Sequence, residues 1–255
     1  MNQNIIYSEG IITEITLNRP DRLNSLNKET LNELKQALNR ISENQSCKCA
    51  IIKGAGSRAF SAGADLEYLS RLKDKAEAAE FFDLMYSVFH QIELIEKPFI
   101  AAIQGYCLGG GNELAIACDI RIASNDSVFG QPETTLGIVP GGGAQHKLPI
   151  IIGREKAEEL ISTGKMLNAQ EALKIGLVSL LVNKQDLYSE AERLASDIME
   201  TRYTAAIERK RSITRSIAFD YEKEKKEFVE HLMGEKGKNG IKAFLGHRKT
   251  ENREK

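Results

Sequence analysis

Apolar and polar positions alternate in short blocks along the 255-residue chain. Ile5 to Tyr7 and Ile11 to Leu17 are rich in β-branched residues with Glu9-Gly10 between them, which predicts a hairpin. Asn18-Arg19-Pro20-Asp21 breaks it. Leu31, Leu34, Leu38 and Ile41 recur at helical spacing and predict a helix over Thr30 to Ile41. Cys49 to Lys53 reads as a short buried strand closed by Gly54-Ala55-Gly56. A loop from Ser57 to Asp65 leads into a helix that Asp65 can cap. Phe82, Met85, Phe89, Ile92 and Ile95 form one apolar helical stripe, ended by Lys97-Pro98. Phe99 to Ile103 is apolar throughout and suits a strand buried on both faces. Further on, Ile120 to Ala123 and Val178 to Val182 read as strands, and Asn168-Ala169-Gln170-Glu171 as a helix start with a capping-box acid. From Gln185 the pattern is almost wholly helical and highly charged, with Arg209-Lys210-Arg211 as a solvated face. Strands that alternate with helices predict an α/β core.

The chemistry concentrates between Phe99 and Gly137. Gly109, Gly110 and Gly111 stand where strand gives way to an apolar helical run, Asn112 to Cys118. The first turn of a helix carries unpaired N–H groups and partial positive charge, and glycine lets a ligand approach them. An oxygen that becomes negative is stabilised at such a place. Two carboxylates flank the turn: Glu113, at the start of the helix, and Glu133, in Gly130-Gln131-Pro132-Glu133. Neither has a basic neighbour at helical spacing. Burial would move both towards neutral pKa values, as acid–base chemistry requires. Taken singly, each is also what a structural acid looks like, one in a helix first turn and one in a loop.

Composition narrows the classes. Apolar residues are 42% and charged residues 28%, ordinary for a globular chain. A net charge of -1, without interleaved basic and aromatic residues, argues against nucleic acid. No apolar run approaches a membrane span, and no basic region followed by an apolar one opens the chain, so a cytoplasmic protein is expected. Cys47, Cys49, Cys107 and Cys118 are too few and too irregular for a disulfide scaffold or a zinc ribbon and read as buried free thiols. The four histidines are scattered and suggest no metal set. The glycine stretches lack dinucleotide spacing, and Gly111 stands where a Walker loop needs lysine.

Five segments in order resemble the crotonase superfamily of enoyl-CoA hydratases and isomerases. They are Asn18-Arg19-Pro20 with Asn24-Ser25-Leu26, then Phe60 to Leu66, Gln104-Gly105 with Gly109 to Ala115, Cys118-Asp119-Ile120-Arg121, and Phe129 to Glu133 with Leu136-Gly137. The resemblance runs from the N-terminus to about Arg248. It implies a spiral of β-β-α units over residues 1–200, holding an acyl-CoA site, and a C-terminal helical trimerisation region over residues 201–255. It also implies a homotrimer or homohexamer with no metal or cofactor, coenzyme A being part of the substrate.

Residue by residue, the resemblance gives the backbone N–H groups of Ala64 and Gly110 to the thioester oxygen. It gives Glu113 and Glu133 to one water: Glu113 activates it for attack on C3, and Glu133 delivers a proton to C2. Ala62, Asp65, Leu66, Arg22, Phe244 and His247 are the expected substrate and CoA contacts. Two departures stand out. Family hydratases often read Gly-Gly-Thr-Gln-Arg-Leu where this chain has Gly143-Ala144-Gln145-His146-Lys147-Leu148, an exchange expected to touch the wall near the acyl site. Near the C-terminus His247, with Arg248 beside it, stands where a phosphate-binding lysine is common. Two glutamates favour a hydratase. The rivals are a Δ3-Δ2 enoyl-CoA isomerase or other acyl-CoA lyase on the same scaffold, and a non-catalytic relative that binds RNA or protein.

Overall fold

The computed structural model describes residues 3–200 and 220–251. The N-terminal pattern folds as expected. β1 (Ile5–Ser8) and β2 (Ile12–Leu17) pair antiparallel, and α1 (Lys28–Glu43) buries Leu31, Leu34, Leu38 and Ile41. From there each turn of the chain lays one strand in a large sheet and the next in a small one. β3 (Cys49–Gly54), β5 (Phe99–Ile103) and β7 (Ile120–Ser124) are parallel neighbours in the large sheet. Each is followed by a three-residue strand: β4 (Ala59–Ser61), β6 (Tyr106–Leu108) and β8 (Val128–Gly130). The small sheet runs β4-β6-β8-β9, with β9 (Met166–Asn168), and the large one β1-β2-β3-β5-β7-β10, with β10 (Leu180–Val182). Helices close the turns: α2 (Leu66–Leu69) and α3 (Lys75–Leu94) after β4, α4 (Gly110–Ala117) after β6, and α5 (Ala144–Ile152) after β8 and a 3₁₀ turn, Pro132–Leu136. This is the expected spiral of β-β-α units.

The centre of the large sheet is buried on both faces because β3 and β5 are apolar at nearly every position. Ala50, Ile52, Phe99, Ala101 and Ile103 face the main core with α1 and α3. Cys49, Ile51, Ile100 and Ala102 face a second cluster with Leu187, Ala191 and Ala195 of α8 (Leu187–Glu200). Successive side chains alternate between faces, so one continuous apolar run supplies both. α6 (Arg154–Thr163) and α7 (Ala169–Lys174) lie between α5 and β10, and Asn168 and Glu171 form the expected capping box of α7. All four cysteines are buried and unbridged.

The tail differs from its sequence pattern. Its charge suggests too few apolar residues to bury on its own chain. Yet α9 (Tyr221–Met233) packs on α3 and places Phe228, Val229 and Leu232 in the main core; α10 (Glu235–Glu251) adds Ile241. Phe228 meets Phe82, with ring centroids 5.4 Å apart. Arg209-Lys210-Arg211 and the division near residue 200 lie outside the described residues.

Candidate active site

The N-terminal segment and the Ala62–Asp65 loop are built as one piece. Leu23 and Asn24 both take positive φ, 51° and 53°, and the tight turn lets the Asn24 side chain receive the Arg19 N–H and donate to the carbonyls of Ala55 and Ala59. The Ala62 N–H donates to Leu23 O, the Leu26 N–H to Gly63 O and the Asp65 N–H to Leu26 O. Arg19 closes the piece with an ion pair to Asp65 at 2.8 Å. The loop is thereby held from both sides, with the Ala64 nitrogen beside the start of α4. A Cβ built on Gly110 would lie 3.4 Å from the Ala64 nitrogen, and one on Gly63 3.1 Å from the Gly110 nitrogen. Among the described residues neither N–H donates a hydrogen bond. The two N–H groups therefore lie close together on the lining of one cavity, each without an acceptor among the described residues.

Both glutamates open on the same cavity, of about 550 Å³. Glu113 is 1% exposed. Its Oε1 receives the N–H groups of Gly142, at 2.7 Å, and Ala144, at 3.1 Å. A Cβ at residue 142 would stand 2.7 Å from Glu113 Oε2, so only glycine admits this approach. Glu133 enters from the 3₁₀ turn, and a Cβ at Gly109, whose φ is 52°, would lie 2.8 Å from its Oε1. Gln131 Nε2 donates to that oxygen at 3.0 Å, and Asn112 Nδ2 donates to Gln131 Oε1 at 2.9 Å. This relay leads from the helix of one glutamate to the other. Burial, followed by the charges of Glu133 and Glu224, pushes Glu113 up to about 8; burial pushes Glu133 up to about 7. Each can hold or release a proton near neutral pH, and the two compete for ionisation.

The cavity gathers most of the expected contacts. Ala62, Asp65, Leu66, Arg22 and Phe244 line it, along with the apolar Leu69, Met85, Ile138 and Phe228. The Asp65 carboxylate caps α2 at the Tyr68 N–H and holds Arg19, so its side chain serves the loop. Arg22 pairs with Glu67 at 2.7 Å, half-exposed. His247 is exposed and does not line the cavity, although it follows the lining Phe244 by about one helical turn. The exchange at residues 145–147 also lies outside the lining. Gln145 Nε2 donates to Pro140 O, His146 faces Glu224, and Lys147 pairs with Glu93 at 2.6 Å, all behind Glu113. Arg58, which the sequence pattern leaves as one more loop cation, stands at the cavity mouth. Gln131 was visible two residues before Glu133, but its partner was not.

The sequence model of the family described as enoyl-CoA hydratase/isomerase matches residues 7–255. The chain belongs to that family. Within the enoyl-CoA hydratase/isomerase family it is similar to a short-chain-enoyl-CoA hydratase of Clostridium acetobutylicum, 38% identical over 98% of this chain and 97% of that protein. A crotonyl-CoA hydratase of Syntrophomonas wolfei is likewise 38% identical over 96% of each. Among solved structures, an enoyl-CoA hydratase from Bacillus anthracis superposes with a TM-score of 0.81 at 34% identity, covering 96% of this chain and 97% of that one. A hydratase/isomerase from Mycobacterium paratuberculosis gives 0.87 at 27% identity over 95% and 99%. Such agreement over whole chains fixes the fold as that of the hydratase/isomerase family.

Proposed function

We propose that the protein is an enoyl-CoA hydratase that adds water reversibly across the 2,3 double bond of a short trans-2-enoyl-CoA. The observation that carries this reading is the meeting of two enclosed carboxylates with two neighbouring N–H donors on one cavity. In this mechanism the thioester oxygen lies between the N–H groups of Ala64 and Gly110. The two acids titrate as a coupled pair, and in the reactive form the proton sits on Glu133: ionised Glu113 takes a proton from a water as its oxygen bonds to C3, and the electron pair of the double bond moves onto the thioester as an enolate. Protonated Glu133 then gives its proton to C2. One water has been added, and the two donors stabilise the charge only while it exists. No metal or redox group is needed. The two relatives named for short-chain and crotonyl substrates support a small acyl group. Arg22 and Arg58 at the mouth suit the phosphates of CoA. Phe244 and His247 belong to the same end of α10, with Phe244 the better placed. By the same resemblance the protein assembles as a homotrimer or homohexamer, and its four unbridged thiols suit the cytoplasm.

The test is kcat for hydration of crotonyl-CoA and for isomerisation of a 3-enoyl-CoA, in wild type, Glu113→Gln, Glu133→Gln and the double variant. Each single change is expected to lower hydration by about 10²–10⁴-fold. The double change should cost little more, because groups that act on one water are not additive. Normal hydration by Glu113→Gln, with Glu133→Gln dead for isomerisation, would hand the site to the isomerase reading.

A further inference from the structure

A third carboxylate stands behind the site. Glu224, on α9, is 2% exposed, although it sits in a helix otherwise studded with solvated charge. Its Oε1 receives the Gly143 N–H at 3.1 Å, and its Oε2 faces His146 Nε2 at 2.5 Å. The turn from Gly142 to Ala144 thus presents successive N–H groups to two acids. Those of residues 142 and 144 go to Glu113, and that of residue 143 goes to Glu224. A backbone gripped this way from both sides cannot shift towards one acid without leaving the other.

We propose that Glu224 is a positioning residue for Glu113: it fixes the turn whose N–H groups hold Glu113, and its charge, shared with His146, acts on Glu113 through that turn. His146 is the cation-capable group set against that charge.

The other charged groups nearby are matched elsewhere. Lys147, on α5, pairs with Glu93 of α3, and Glu93 also meets His90 Nδ1 at 3.0 Å. On α9 itself, Tyr221 and Lys225 turn to Asp83 of α3. Tyr86 of α3 feels both Glu93 and Glu224 but carries no charge near neutral pH, since burial pushes its hydroxyl up to about 12. What Glu113 experiences from this side is therefore the Glu224–His146 pair, in line with the upward push Glu224 exerts on it. The inference rests on the hydratase reading for its kinetic readout.

The experiment compares wild type, Glu224→Ala and Glu224→Gln on crotonyl-CoA from pH 5.5 to 9.5, with Tm followed over the same range. Glu224→Ala removes tether and charge; kcat should fall about 10- to 100-fold with KM within about threefold, as expected for a displaced catalytic group. Glu224→Gln keeps an acceptor for the Gly143 N–H, so most of kcat should return. With a negative neighbour gone, Glu113 ionises more easily, and the limb of the pH profile that follows it should move to lower pH. Unchanged kcat in Glu224→Ala overturns the tether. Glu224→Gln with an unmoved limb overturns the electrostatic role. A wild type that does not hydrate sinks the hydratase reading instead. Tm then decides the inference alone: the gain of Glu224→Gln over wild type should be larger at pH 9 than at pH 6, and a gain independent of pH overturns it.

Discussion

At the residue scale, the site is an exercise in keeping two acids protonated without losing their basicity. Glu113 is the extreme case, enclosed in the core and facing Glu133 and Glu224, with only two backbone N–H groups to favour its anion. Its folded value of about 8 stands above an ordinary 4.5. Between those values the folded protein holds a proton the unfolded chain has released. Stability is therefore full below the lower value and declines as pH rises through the upper one. Glu113→Gln cannot ionise and escapes the decline. Its Tm should exceed that of wild type at pH 9, with the gap closing towards pH 5; an equal gap at both would mean that Glu113 carries no burial penalty. Both glutamates were legible in the sequence as acids without basic neighbours. Glu224 was not, since nothing along the chain distinguishes it from the other acids of α9; burial beside Gly143 does.

At the scale of elements, α4 does the most with the fewest residues. All eight are buried, and its first turn offers the Gly110 N–H to the cavity while its third position beyond carries Glu113. Gly110 is the first helical residue, the position where proline is tolerated because its N–H is unpaired in any helix. Gly110→Pro should thus remove the proposed oxyanion donor and leave the helix standing. We expect kcat to fall about 10²–10³-fold with the far-ultraviolet circular dichroism unchanged. A folded variant with near-normal turnover would take Gly110 out of the oxyanion hole. The helices of the main core were readable from their apolar periodicity, and the central strands of the large sheet from continuous apolar runs that are buried on both faces. The three-residue strands β4, β6 and β8 were not. Ala59–Ser61, Tyr106–Leu108 and Val128–Gly130 are too short to show a period and become strands only by pairing with one another. The glycine turn consequently follows β6, where the sequence pattern offered only Phe99–Ile103 as the strand before it.

At the scale of the whole molecule, the described tail is part of the chain's own core. Phe228 of α9 packs against Phe82 and also closes the cavity, so the tail contributes to the site of its own chain. The argument for assembly cannot then rest on an unpartnered tail. It rests on the surface. Leu94 is 61% exposed at the end of α3 and Ile150 is 60% exposed on α5, with Leu173 also outward. No helix among the described residues is long and apolar enough to cross a membrane. Apolar side chains scattered singly are ordinary on a surface, while a contiguous patch marks a contact with another chain, so these positions are where the proposed assembly is to be tested. A symmetric homo-oligomer is the common solution, each copy covering the next. Light scattering at micromolar concentration should give three or six times the 28.4 kDa of one chain. Charge placed in the contact tests the same idea: Ile150→Glu leaves the core untouched, so it should lower the mass while the circular dichroism stays that of the folded protein. A wild type that scatters as a monomer would remove the oligomer. A trimer or hexamer indifferent to Ile150→Glu would move the interface to another face.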